Sequence, residues 1–128
     1  MDSFRIHEDI KRGYDTRDAL IENYKKNIRM LARCGIKVIC YNFMPVFDWT
    51  RTDMAYVLPD GSDCLAFEAE KVNKIDARKG IDLPGWGTNY SPEKLQELLQ
   101  SYENIDEDQL WENCKYFLDA CIPVAEEC

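Results

Sequence analysis

Ile36-Lys37-Val38-Ile39-Cys40-Tyr41-Asn42 is the stretch on which the fold turns. It is apolar almost throughout, and its isoleucines and valine favour extended backbone. Such a run fits a strand buried on both faces, the pattern of a parallel sheet. Gly35 stands just before it, where a helix-ending glycine belongs. Upstream, Leu20, Ile21, Tyr24, Ile28 and Leu31 recur at spacings of three and four and predict a helix over Thr16–Cys34. Thr16 is the expected cap, with Asp18 in the positive first turn. Helix, glycine, buried strand is the second half of a βαβ unit, so the fold class is α/β. Further upstream, Ser3–His7 reads as the end of another strand, and residues 7–15, HEDIKRGYD, read as a loop.

Downstream, the chain leaves 36–42 through the aromatic, Pro-containing stretch FMPVFDWTRTD. Residues 43–65 read as irregular, with a turn at Pro59-Asp60-Gly61. A helix is expected over Leu65–Arg78, then a Gly/Pro-rich connection over 79–90. Ser91-Pro92 begins a helix running to about Tyr102, with Ser as cap and Pro at the first helical position. Asp106 with Gln109 marks the start of a last helix. That helix carries Leu110, Cys114, Phe117, Leu118, Cys121 and Ala125 on one side, and Pro123 should kink it or remove one backbone bond. A strand at 36–42 and a strand end at 3–7 are too few for a closed sheet; a (β/α)8 barrel takes roughly 250 residues.

Composition narrows the function. The 128 residues carry 16 basic and 24 acidic side chains, a net charge of −8. Such a chain repels phosphate backbones, so no nucleic-acid partner is expected. No apolar run reaches the roughly 18 residues of a membrane span, and the polar N-terminus does not read as a signal peptide. Hydrophobic residues at 45% are enough for a core. Cys114, Cys121 and Cys128 repeat every seven residues with Phe117 and Val124 on one helical stripe, where free thiols behave as small hydrophobes. Without a CxxC pair, zinc has little support. A reducing, cytoplasmic compartment is expected.

Two places could carry chemistry. Tyr41 to Thr52 follows the carboxyl end of the parallel-type strand, where α/β sheets build their sites. Arg51 could hold a carboxylate through two parallel hydrogen bonds. Tyr41 and Asn42 offer polar groups to sugar hydroxyls, and Trp49 could pack on a sugar's C–H face. The competing view is an ordinary loop with aromatic anchors in the core, and the two readings weigh about equally. The second place is His7-Glu8-Asp9. His7 is the single histidine. It could be a general acid or base, or a metal ligand with Glu8 or Asp9, although adjacent strand residues face opposite ways. A surface or hydrogen-bonded histidine is the more ordinary outcome. Phosphate loops and nucleophile elbows are missing from the sequence.

The blocks HEDIK (7–11), IENYKKNIRMLARCGIKVICYNFMPVFDWTRTD (21–53), YVLPDGS (56–62) and IPVAEE (122–127) resemble mannonate dehydratase in content and order. The resemblance implies a partial (β/α)8 TIM-barrel segment, helix-rich, with its clear parallel-type strand at 36–42. It divides the chain into strand end, helix, strand and active-site-type loop at 1–53, a helical insertion at 54–105 and a barrel helix at 106–128. It also implies dehydration of D-mannonate to 2-keto-3-deoxy-D-gluconate in hexuronate catabolism, with Mn²⁺ or Fe²⁺ stabilising negative charge on the substrate carboxylate. The family's metal ligands are histidines, a cysteine and an aspartate on later strands, beginning in an HPDDPP-like segment after IPVAEE. This chain is therefore expected to be an internal portion without metal ligands, inactive in isolation. The matching blocks contain the candidates read from position above, His7 for catalysis and Tyr41, Asn42, Trp49 and Arg51 for substrate binding. The expected partner is a sugar acid, with self-association of the isolated chain. The alternatives are a non-catalytic truncated module that associates with partner chains, or a related barrel sugar isomerase or epimerase.

Overall fold

The computed structural model describes residues 4–47, 50–72 and 91–128. It divides into two compact units, Met1–Val46 with Tyr102–Cys128, and Phe47–Ser101. The first is a βαβ arrangement with a further helix. Strand β1 (Phe4–Arg5) is followed by helices α1 (Glu8–Arg12) and α2 (Arg17–Arg33), then strand β2 (Tyr41–Asn42), and helix α5 (Glu107–Glu126) completes it. β1 and β2 pair in parallel, Phe4 opposite Tyr41 and Arg5 opposite Asn42.

Local chemistry explains most of these elements. In α2 the Ile21 and Ile28 side chains of the expected apolar face are buried. The helix ends as anticipated. Gly35 has φ +76°, and the amides of Gly35 and Ile36 reach back to the Ala32 and Leu31 carbonyls at 2.9 and 3.1 Å. These are the two backbone bonds of a Schellman ending. Asp106 caps α5 by accepting from the Gln109 amide at 2.8 Å. Pro123 lies inside α5, and the helix continues past it to Glu126. Asn113, Cys114, Phe117, Cys121 and Val124 form its buried side, whereas Ala125 and Cys128 of the expected stripe are exposed. Ile6, Ile10, Ile21, Ile28, Phe117, Cys121 and Val124 make one core, around a Phe117 that is 1% exposed. The Tyr24 ring meets Phe117 edge-on at 5.0 Å.

Two expectations for this unit fail. Residues 7–15 were expected as a loop, yet Glu8–Arg12 is a helix. The His7 side chain caps it by accepting from the Asp9 amide, acidic residues open it, Lys11 and Arg12 close it, and Gly13 at φ +72° ends it. The buried strand expected at 36–42 is paired only at Tyr41–Asn42. Ile36 is 46% and Val38 77% exposed. A run patterned for two covered faces needs neighbours on both, and here one short strand pairs with its last two residues.

The second unit holds an antiparallel hairpin, β3 (Asp53–Val57) with β4 (Asp63–Ala66), then α3 (Ala69–Val72) and α4 (Pro92–Gln100). The irregular reading of 43–65 is thus corrected. The turn at Pro59-Asp60-Gly61 is present, closed by Leu58 N–H to the Ser62 carbonyl at 2.8 Å. The helix expected over Leu65–Arg78 starts later, at Ala69 in α3, since Leu65 and Ala66 belong to β4; its part from residue 73 onward lies outside the described residues, as does the 79–90 connection. Ser91 caps α4, accepting from the Lys94 amide at 3.3 Å, and the helix runs to Gln100, close to its expected end. No helix among the described residues is long and apolar enough to cross a membrane.

Candidate functional site

Because β1 and β2 run parallel and in register, the chain leaves both at the same end of the pair. The segment after β1 contains α1; the segment after β2 is Phe43 to Val46. They are tied by Lys11, whose residue is 5% exposed. Its Nζ donates to Glu8 Oε1 at 2.8 Å and, across the two segments, to the Met44 carbonyl at 2.8 Å. The Met44 amide in turn donates to Asn42 Oδ1 at 3.2 Å. The second Glu8 oxygen accepts from the Tyr102 hydroxyl. Burial, then the bond to the Glu8 carboxylate and its charge, push the Tyr102 phenol far above its ordinary value, so it stays a donor.

The acidic neighbours of His7 are engaged as well. Asp9 accepts from the Thr16 hydroxyl and from Arg12, both at 2.7 Å. The Thr16 bond, opposed by partial burial and then reinforced by Arg12, holds its carboxyl below the usual range. The Arg12 guanidinium lies 4.4 Å from the Tyr14 ring centroid. Thr16 therefore spends its hydroxyl on Asp9, and it makes no side-chain cap to α2.

His7 is exposed, with Nδ1 accepting the Asp9 amide at 3.1 Å. Nδ1 is committed to the helix cap, which leaves Nε2 as the ring nitrogen outside it. Tyr41 is 46% exposed, its ring 6.1 Å from Phe117. Asn42 is half-buried, with its carbonyl oxygen turned to the Met44 amide. The backbones of His7, Tyr41 and Asn42 thus stand near one end of the strand pair, but the Tyr41 ring turns to Phe117 and the groove between α2 and α5, the opposite way from Asn42. Arg51 belongs to the second unit and is half-buried. Trp49 lies outside the described residues. Among the described residues no three His, Cys, Asp or Glu side chains gather as a metal-ligand set. The donors beside His7 are held by Lys11, Arg12, Thr16 and Tyr102, so this cluster does not fit a metal.

Sequence reasoning missed Lys11 and Tyr102. The Glu8–Lys11 spacing of three was a legible signal for an ion pair on a helix. Nothing local pointed to Met44 or Tyr102.

A family model described as D-mannonate dehydratase (UxuA) matches residues 1–128. The chain belongs to the D-mannonate dehydratase family. It is 48% identical over 128 residues to mannonate dehydratase 2 of Halalkalibacterium halodurans, covering 99% of this chain and 37% of that protein. It is 50% identical over 127 residues to the mannonate dehydratase of Streptococcus uberis, covering 98% of this chain and 36% of that one. Among solved structures, the crystal structure of mannonate dehydratase from Streptococcus suis serotype 2 superposes with a TM-score of 0.80 at 47% identity, over 98% of this chain and 32% of that chain. The chain therefore spans a little over a third of its curated relatives. Family membership leaves the isomerase or epimerase alternative without support.

Proposed function

We propose that these residues form the part of a cytoplasmic D-mannonate dehydratase that shapes one side of its sugar-acid site. The longer protein would eliminate water from D-mannonate to give 2-keto-3-deoxy-D-gluconate. The observation that carries this reading is the shared exit of β1 and β2 in a member of this family. In a (β/α)8 barrel the catalytic loops leave the carboxyl ends of parallel strands, and here two such segments leave one end, tied together by Lys11. We take 1–53 as barrel strand, helix and loop, 54–105 as an insertion, and 106–128 as a barrel helix.

In this proposal Tyr41 and Asn42 meet substrate hydroxyls. Arg51 neutralises the substrate carboxylate, Trp49 packs on its C–H face, and His7 Nε2 exchanges a proton. When bound, a divalent metal, Mn²⁺ or Fe²⁺ by the family resemblance, would stabilise the charge that builds on the carboxylate as the proton beside it leaves. Its ligands would lie outside residues 1–128, so this chain's part is to hold and orient the substrate and, at His7, to exchange a proton. The test compares the full-length protein carrying this segment with residues 1–128 alone, each given Mn²⁺ and D-mannonate, with 2-keto acid read by a colour reaction. Product is expected from the first and none from the second. Silence from the full-length protein would remove the dehydratase reading; turnover by the 128-residue chain would overturn its incompleteness.

A second reading concerns the chain by itself. Val38 and Ile36 are exposed on a stretch that belongs to no described strand, beside an open groove of about 570 Å³ lined by Ile28, Ile39, Phe117, Leu118 and Ile122. Apolar backbone of this kind pairs with another copy, so the isolated chain is proposed to be a self-associating module. Light scattering showing a monodisperse monomer would reject it.

A further inference from the structure

We infer that Lys11 is a positioning residue for the substrate-side loop that follows β2. The inference rests on the dehydratase reading above and gives a role in substrate binding to the lysine that ties its two segments together. An ammonium buried to this degree needs partners for its donors. Lys11 has the Glu8 carboxylate, which holds it in place, and one backbone oxygen 33 residues away, that of Met44. Tyr102 holds the far side of Glu8, which keeps the carboxylate aimed at Lys11.

The loop itself is held in an uncommon conformation. Val46 has φ +56°, a region β-branched residues rarely enter. Such a backbone persists where its surroundings over-determine it. Met44 is fixed twice, by Lys11 at its carbonyl and by Asn42 at its amide. The second fixing reaches the proposed site directly, because the Asn42 side chain that holds Met44 is itself a proposed substrate contact. Without the Lys11 ammonium, the Met44 carbonyl loses its donor, the 43–46 backbone relaxes, and Asn42 and the adjoining Tyr41 lose their set orientation. These are ground-state contacts, so the loss should fall on substrate binding.

The experiment uses the full-length dehydratase carrying this segment, with Lys11→Met and, as a control, Asn113→Ala. Asn113 is buried and bonds the Lys11 backbone carbonyl, so its loss weakens the same region without touching the loop. Lys11→Met is expected to raise KM about tenfold or more, the scale of ~1.4 kcal/mol, with a smaller fall in kcat. It should also speed amide hydrogen exchange in a peptide covering 41–47 about tenfold. Asn113→Ala should lower the melting temperature while leaving KM and that peptide's exchange as in the parent. If Lys11→Met does not fold, Lys11→Gln, neutral and one atom shorter, should change both readouts in the same direction. Parental KM and exchange in the Lys11 variant would overturn the inference, as would an equal KM rise in Asn113→Ala. If the parent does not dehydrate mannonate, the functional reading falls, and the exchange comparison still decides whether Lys11 holds the loop.

Discussion

Gly13→Ala probes the seam between α1 and α5. Gly13 sits at φ +72°, where a side chain costs about 1–2 kcal/mol. The added Cβ would also lie 2.7 Å from Asn113 Oδ1 and 3.1 Å from its Nδ2. Asn113 is 3% exposed and has little room to yield. Its Nδ2 donates to the Lys11 carbonyl at 2.9 Å, and its Oδ1 accepts from Gln109 Nε2 at 3.3 Å. Pushing it aside strands a buried carbonyl, at about 1–3 kcal/mol. The total loss expected for Gly13→Ala is about 2–5 kcal/mol. It is read as a lower denaturant midpoint at unchanged slope. The decisive comparison is the double variant with Asn113→Ala. Removing Asn113 opens the space the new methyl needs, so the double variant should lose less than the two single losses combined, by at least about 1 kcal/mol. Strict additivity would mean that the close approach to Asn113 costs nothing, and the seam argument would be wrong.

Three further outcomes are expected. Arg51→Ala in the full-length dehydratase should lose at least about tenfold in kcat/KM, ~1.4 kcal/mol, with little change in melting temperature; full activity would remove Arg51 from the site. All six cysteines are free thiols, and mass spectrometry after alkylation in non-reducing denaturant should count six. In the folded protein Cys34, Cys40 and Cys128 should react first and Cys114 and Cys121 last, because the latter are buried and burial raises their thiol pKa; fast labelling of Cys121 would contradict the packed face of α5. Asp9 is held below its ordinary 3.8 by Thr16 and then Arg12, so its contribution is present above that value and is lost as the pH falls through its lower folded value. The stability gap between the parent and Asp9→Asn should therefore narrow below pH ~4, and a gap independent of pH would remove Asp9 from the acid response.

The sequence by itself determined what depends on neighbours a few residues apart. The apolar spacing in α2, the Gly35 ending, the Ser91 and Asp106 caps and the Pro59-Asp60-Gly61 turn all rest on side chains or glycines acting within one or two turns of backbone. A long motif around CYNFMPVFDWTRTD was enough to point to the family. Even α1 was locally encoded, by the His7 cap, the acidic first turn and Gly13, but five residues carry too little periodicity to announce a helix. Tertiary structure alone decided the rest. Whether Ile36–Cys40 is a strand depends on partners that no local pattern supplies, and apolar residues cannot reveal which edge is paired. The β3–β4 hairpin carries a register irregularity between Asp53 and Tyr56, which blurs strand alternation. Lys11 looked like any surface lysine, because its bond to the Met44 carbonyl spans 33 residues, and its ion-pair partner Glu8 is held by Tyr102, 94 residues from Glu8. A buried ion pair has meaning only where distant chain excludes water from it, and that exclusion is a property of the fold rather than of the residues beside it.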